Sequence, residues 1–567
     1  MKRLKIKKYQ LLSAIILSVA PFHLLAEQPK LVLQITVDQL RADLPSRYMK
    51  NMGEKGFKYL YKNGAVYHNA FHPHANTETI VGHATLATGA TPAVHGMIGN
   101  TWFDRNEQRL VYNIEDPNYV LLSKNADVNK ATEIDPTQKA ARSSGRSPSN
   151  MLVSTFSDEL LAYTSNQAKV FAVSVKDRGA VSMAGHKGKA FWFSKKSGQF
   201  VTSNYYYDQY PTWVNEWNDQ NHFLRYQDAN WSLMYDESRY LFNGKDDQAG
   251  EINFPGFGNT FPHAYGNTKN KYFTTFLTLS PAGDELTADF AKQLIASEKL
   301  GQDKVTDYLS VSFSSTDYIG HMFGASSLEM EDNLLRLDRT IASLLDYIDN
   351  KVGLRNTLIV LSSDHGGPDS VEYAKEQGLN AQAIKPKTWQ LETLSDQLMK
   401  AYKTDKPLIL SFQAPYIYLD HEVIKQHKLD KGQVEQTIVE YFKQFPEIAS
   451  AVSSVAIEQG KLQPTQEMMA VANNHNAARS GDIYLVFSPH SFINDMEGLH
   501  VAVHHGSPWR YDQHVPIVFA GHNVKPHRVY DQVSTTDIAP TLSAYIGALS
   551  PSGANGKVLT QVVEKQP

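Results

Sequence analysis

Four short runs rich in β-branched residues, each stopped by a polar one, constrain this chain more than any other feature. They are Leu31–Val37 before Asp38, Tyr308–Phe313 before Ser314, Thr357–Leu361 before Ser362, and Ile483–Phe487 before Ser488. Runs this short and this apolar fit strands buried on both faces, and amphipathic stretches such as Leu328–Ile348 supply the helices between them. The pattern predicts an α/β fold with a mostly parallel central sheet flanked by helices. Ligands of such sheets sit beyond the carboxyl ends of the strands, so the polar residues after these runs are where chemistry is expected.

The chain has no cysteine, which excludes disulfide scaffolds, thiolate metal sites and cysteine hydrolases. Its 55 basic and 59 acidic side chains nearly balance, so no nucleic-acid partner is expected. Lys2, Arg3, Lys5, Lys7 and Lys8 precede the apolar run Leu11–Ala20 and the small residue Ala26. That order predicts a signal peptide over 1–26 and a periplasmic or secreted protein. Pro21 and His23 break the run short of the ~20 residues that span a bilayer, and no later run is long enough, so no membrane anchor is expected after cleavage. Cleavage would remove five basic residues and no acidic one, leaving a formal charge of −9.

The remainder, 27–567, reads as one catalytic domain carrying two inserted subdomains. Residues 186–280 are rich in aromatic residues, among them Phe191-Trp192-Phe193, Tyr205-Tyr206-Tyr207, Trp213, Trp217 and Trp231. They are expected to form the core of a small lid, with a platform for a leaving group as the second reading. Residues 369–480 hold a strand-like Tyr416–Leu419 and an amphipathic helix around Val434–Phe445, which suggests a small α/β insert.

Asp38 ends the first run. Asp317 and His321, four apart after the second, share one face if the segment is helical. Asp364 and His365 follow the third in Ser362-Ser363-Asp364-His365-Gly366-Gly367, where a glycine-rich turn lets neighbouring side chains converge. His505 begins the tight turn His505-Gly506-Ser507-Pro508. Its neighbour His504 competes with it, being paired at a spacing of four with His500. Each element alone is commonplace, but three carboxylates and three imidazoles at strand ends form an oxygen and nitrogen set suited to two zinc ions. Two metals ~3.5–4 Å apart form the clamp used for in-line phosphoryl displacement. The imidazoles favour zinc over magnesium or manganese.

A nucleophile is offered by His74-Ala75-Asn76-Thr77-Glu78-Thr79-Ile80-Val81-Gly82-His83. Thr79 stands where a loop yields to a helical pattern, so the helix dipole would favour a bound phosphate or a developing alkoxide there. Thr77 competes for the role, and either threonine could be a simple N-cap.

The ordered set Val37-Asp38, Asn76–Thr79, Gly96–Asn100, Lys176-Asp177-Arg178-Gly179-Ala180, Ser315-Thr316-Asp317 with His321, Asp364-His365-Gly366-Gly367 and His505-Gly506-Ser507-Pro508 resembles the alkaline phosphatase superfamily. It is most similar to the phosphate-irrepressible bacterial phosphatases of the PafA type, which use a threonine nucleophile. The likeness spans nearly the whole chain after residue 26, and Ser534–Thr541 resembles the superfamily's terminal helix. It implies one Zn2+ on Asp317, His321 and His505, and a second on Asp38, Asp364, His365 and Thr79. It also implies phosphate contacts from Asn100, Lys176 and Arg178, with Lys176 replacing a third, magnesium site. The implied activity is hydrolysis of small-molecule phosphomonoesters to inorganic phosphate through a phosphothreonine intermediate, by a monomer. The Lys/Arg pair matches the second negative charge of a monoester, which a diester lacks. A phosphodiesterase or nucleotide pyrophosphatase is the same-class rival, and an inactive metal- or phosphate-binding protein the rival of another class.

Overall fold

The computed structural model describes residues 28–496 and 499–564; the expected signal peptide, 1–26, lies outside them. In chain order the central strands are β1 (Leu31–Val37), β2 (Ala65–Phe71), β3 (Val170–Ser174), β4 (Lys189–Ser194), β5 (Gln199–Val201), β6 (Asp307–Phe313), β7 (Thr357–Ser362), β8 (His514–Gly521), β9 (His527–Val529) and β10 (Val533–Ser534). They form a ten-stranded sheet in the order β9-β2-β8-β7-β1-β6-β3-β4-β5, with β10 also paired to β2. β7, β1, β6, β3 and β4 run parallel, whereas β8 is antiparallel to β7 and to β2, and β5 to β4.

Register explains why the polar residues meet. Val37 lies opposite Phe313, Thr36 opposite Ser362, and Ser312 opposite Ser174. Asp38, Ser363, Ser314 and Val175 therefore leave one edge of the sheet together. Alternation along β1 sends Leu31, Leu33, Ile35 and Val37 into one core with Phe290 and Ile341, while Val32 joins the opposite core with Ile80, Ala180 and Ile538. Helices α3 (Pro281–Glu298) and α5 (Leu328–Lys351) thus cover the first face. Helices α1 (Thr79–Thr88), α2 (Asp177–Ala184) and α6 (Ile538–Ile546) cover the second. A further helix, α4 (Ser315–Phe323), follows β6 directly.

One strand expectation is corrected. Ile483–Phe487 is a strand, but it belongs to a separate four-stranded sheet with Ile409–Gln413, Tyr416–Leu419 and Ile448–Ser453. Ile483 and Leu485 pack within that unit while Tyr484 and Val486 pack against the main body. Burial on both faces gives it the composition of a central strand. The aromatic segment is also not a separate layer: Phe191, Phe193 and Phe200 share the first core with Phe290. No helix among the described residues is long and apolar enough to cross a membrane.

Candidate active site

Thr79 is the first residue of α1, after an extended Glu78 whose side chain makes no cap bond. Its Oγ is buried where the helix amides point. Lys176 Nζ and Arg178 Nη2 each donate to Thr79 Oγ1 over 3.4 Å. Thr77 faces elsewhere: its hydroxyl donates to Ser507 O and accepts from Ser507 N–H, tying two loops together. Gly82 lets α1 come against the Asp364 turn, since a Cβ there would fall 1.8 Å from Asp364 O.

Lys176 and Arg178 bracket the start of α2, and both are buried. Asp135 accepts from Arg178 Nη1 at 2.8 Å, while Arg178 Nε has no hydrogen bond. The Nε/Nη2 edge of the guanidinium therefore faces Thr79, in the fork geometry that suits two oxygens of one anion. Asn100 Oδ1 accepts from Ile80 N–H, which turns its amide nitrogen the other way. Glu78 accepts from Asn100 N–H at 2.5 Å, and burial pushes its carboxyl up to about 7.

Behind Thr79 the carboxylates converge. Lys176 Nζ donates to Asp317 and lies 3.0 Å from Asp38 Oδ2. Asp317 Oδ1 is 3.4 Å from His321 Nε2 and 3.3 Å from His505 Nε2. His365 Nε2 is 3.5 Å from Asp38 Oδ1 and 3.6 Å from Asp364 Oδ2. Three overlapping groups have their donor atoms within 4.8 Å of one another: Asp38/Asp364/His365, Asp317/His365/His505 and His321/His504/His505. His504 and His505 thus both reach the cluster, but only His505 meets Asp317 within 3.3 Å.

This set fits metal ions on its own chemistry. Asp38 Oδ1, Asp317 Oδ1 and His365 Nε2 are buried without a hydrogen bond, while Asp38 Oδ2 has only the Lys176 ammonium at 3.0 Å and Asp364 Oδ2 only the His83 ring nitrogen at 3.1 Å. Leaving so many lone pairs unpaired is costly unless a cation takes them. Each histidine directs its Nδ1 at a carbonyl: His321 at Val503 O, His365 at Gly366 O, and His505 at Thr77 O. That leaves every Nε2 facing the cluster as an acceptor. Burial pushes His365 down to about 4 and His505 to about 3, so both are neutral in ordinary buffers, as ligands must be. Burial first, then the Asp364 carboxylate, drives Asp38 well above the usual carboxylate range. Burial also opposes ionisation of Asp317, but the Lys176 ammonium overrides it and holds this carboxyl well below that range. Three carboxylates against one ammonium leave the cluster short of positive charge.

In front of Thr79 opens a cavity of about 250 Å³. Asn100, Arg178, Asp317, His321 and His505 line its polar floor, and Ile134, Pro136, Pro415, Phe487 and Phe492 stand among its apolar walls. None of Phe191, Trp192, Phe193, Trp213, Trp217 and Trp231 lines it, so nothing in its walls supports the second reading of that segment, a leaving-group platform. Pro415 and Phe487, near the four-stranded sheet, reach the cavity instead.

The sequence matches the type I phosphodiesterase / nucleotide pyrophosphatase family over residues 32–508. The chain belongs to that family. Within it, the chain is 33% identical to alkaline phosphatase PhoV of Synechococcus elongatus, covering 95% of this chain and 93% of that one. It is 31% identical to alkaline phosphatase PafA of Elizabethkingia meningoseptica, covering 94% and 95%. A crystal structure of wild-type PafA superposes with a TM-score of 0.86 at 30% identity, covering 95% of this chain and 100% of that one. The expected kinship with PafA-type members of the alkaline phosphatase superfamily and the expected fold are borne out. A murine member of the nucleotide pyrophosphatase / phosphodiesterase group, 13% identical, shares the fold at a TM-score of 0.50.

Sequence reading had assigned no role to Glu78 or Asp135. Glu78 sits inside the Asn76–Thr79 motif, but nothing in the letters marks it as the acceptor for the Asn100 amide. Asp135 lies in a loop 43 positions before Arg178 and carries no spacing signal; only folding brings it to the guanidinium.

Proposed function

We propose that this protein is a zinc-dependent alkaline phosphatase that hydrolyses small-molecule phosphate monoesters through a phosphothreonine on Thr79. The observation that carries the reading is the convergence of Lys176 and Arg178 on one buried threonine hydroxyl beside clustered carboxylates that keep oxygens without hydrogen bonds. Asp317, His321 and His505 would hold one ion, and Asp38, Asp364 and His365 the other, completed by Thr79. When bound, such ions supply Lewis-acid stabilisation of attacking and leaving oxygens.

The side chains set out the remaining chemistry. Thr79 Oγ gives up its proton to solvent and attacks phosphorus, forming the Oγ–P bond while the ester P–O bond breaks; the leaving oxygen keeps the electron pair and takes a proton from water. Asn100, Lys176 and Arg178 donate to the non-bridging oxygens, over which transition-state charge is spread. Water then attacks the phosphothreonine, releases inorganic phosphate and restores the hydroxyl. Two in-line displacements give net retention at phosphorus. The apolar walls would receive the organic part of the ester. We place the enzyme outside the cytoplasm, on the basic and apolar order of its first residues.

The family's description favours a second reading, a phosphodiesterase. The two cations beside Thr79 argue against it, because a diester offers one fewer anionic oxygen to receive them. Turnover of aryl phosphate against bis-aryl phosphate decides. A monoester preference that shrinks at least about tenfold when Lys176 and Arg178 are both replaced by Ala supports the first reading. A clear diester preference of the wild type overturns it. Thr79→Ala should abolish the acid-stable phosphoenzyme, and Thr77→Ala should retain it.

A further inference from the structure

His83 lies one turn after Thr79 on α1 and is fully buried. Its Nδ1 is 2.9 Å from Thr79 O and 3.1 Å from Asp364 Oδ2. Both neighbours are acceptors, so Nδ1 carries a proton. On the far side, Nε2 is 2.9 Å from Ser312 Oγ. From there a line of hydroxyls crosses the sheet edge: Ser312 Oγ is 3.2 Å from Ser314 Oγ, and Ser314 Oγ is 3.2 Å from Ser174 Oγ. Ser174 Oγ accepts from Lys176 N–H at 3.0 Å.

One arrangement of protons uses each hydroxyl once as donor and once as acceptor. Lys176 N–H donates to Ser174, Ser174 to Ser314, Ser314 to Ser312, Ser312 to His83 Nε2, and His83 Nδ1–H to Thr79 O and Asp364. Gly179 bears on the same chain: a Cβ there would lie 2.9 Å from Ser174 Oγ, 3.2 Å from His83 Nε2 and 3.3 Å from Ser312 Oγ. The absence of a side chain at that point of α2 leaves room for the chain to close.

We propose that His83 is a positioning residue of the metal centre. Its Nδ1–H holds Asp364 Oδ2 in place relative to Thr79, and the Ser312–Ser314–Ser174 hydroxyls, anchored on Lys176 N–H, hold the ring in that orientation. The phosphate-gripping segment and the metal carboxylate are thereby joined by a buried route that passes through no ligand. The inference rests on the metal-dependent reading of the site.

The test uses the zinc-loaded full-length enzyme and three variants. His83→Asn keeps an N–H near the Nδ1 position, His83→Gln places its amide near Nε2, and His83→Ala removes both. Zinc retained against a competing chelator should fall 10–100-fold for one of two ions in His83→Ala and His83→Gln, the range usual for partners of metal ligands, and recover to within about threefold in His83→Asn. Ring nitrogen-15 NMR of the wild type should show a proton on Nδ1 of His83. Equal rescue by Gln and Asn, or a bare Nδ1, overturns the proposal; if the Ala variant does not fold, the Asn/Gln pair carries the test alone. Wild-type protein that takes up no metal overturns both this inference and the reading beneath it, whereas a metal-replete, active wild type with an unaltered His83→Ala variant overturns this inference only.

Discussion

Two sets of buried carboxylates in this molecule look alike by depth and differ in what satisfies them. On α5, Asp332 accepts from Trp231 Nε1, Met234 N–H, Tyr240 OH and Arg336 Nε, at 2.5–2.7 Å. Asp338 accepts from Gly53 N–H and Phe57 N–H, both at 2.7 Å. These carboxylates replace missing backbone partners and fasten loops to the helix. Asp38, Asp317 and Asp364 are as deeply buried, yet Asp38 and Asp317 each keep an oxygen with no hydrogen bond, aimed at imidazole nitrogens that are also acceptors, and Asp364 Oδ2 has the His83 ring N–H alone beside His365 Nε2. Burial alone therefore does not mark function here. Several such oxygens converging on acceptor imidazoles do, whereas single ones at Glu329 and Asp284 stand apart from the cluster, because a fold tolerates a whole set only where something else arrives to bind.

The contrast can be broken most forcefully at the cluster. Stripping metal from the enzyme with a chelator should lower phosphate release at least about a thousandfold while far-UV circular dichroism stays unchanged, and zinc should restore it. Activity indifferent to chelation would erase the distinction. At the other pole, Asp332→Ala should cost about 3–5 kcal/mol in urea unfolding, since it strands a guanidinium, an indole N–H and a backbone N–H, while zinc per chain stays at the wild-type level. Loss of zinc without loss of stability would reverse the assignment.

Asp284 stands between the two sets, and pH tests where it belongs. Its Oδ1 accepts from Ser315 N–H at 3.1 Å, whereas Oδ2 has no hydrogen bond. Burial pushes this carboxyl up to about 7. Because the folded value exceeds the unfolded one near ~3.9, its contribution to stability is fully present below that pH and lost as pH rises through about 7. Wild-type stability should therefore fall about 1.4 kcal/mol per pH unit across this window relative to Asp284→Asn. Parallel pH profiles from urea unfolding would place Asp284 with the saturated carboxylates instead.

Much of the site is legible in the sequence because it is local. Asp317 and His321 read as one helical face and lie 3.4 Å apart on α4. Asp364 and His365 read as converging in a glycine-rich turn, and their side chains approach to 3.6 Å. The sequence favours Thr79 but leaves Thr77 in competition, since both precede the same helical pattern; Ser507, over 400 positions away, occupies Thr77. The strand Ile483–Phe487 misleads for a comparable reason. A strand buried on both faces has the same composition whether it lies in the central sheet or between a subdomain and the main body.

By itself, the sequence determined the periodic runs, the polar residues that end them and the pairs set by turn or helix geometry, because these depend on neighbours a few bonds away. Which carboxylates would be saturated and which left open was decided only when distant segments packed. Asp135 reached Arg178, the Trp231 and Tyr240 loop closed on Asp332, and a line of serines joined His83 to Lys176 across the sheet edge. A hydrogen bond needs its partner within about 3 Å, and only tertiary structure sets that distance between residues remote in the chain.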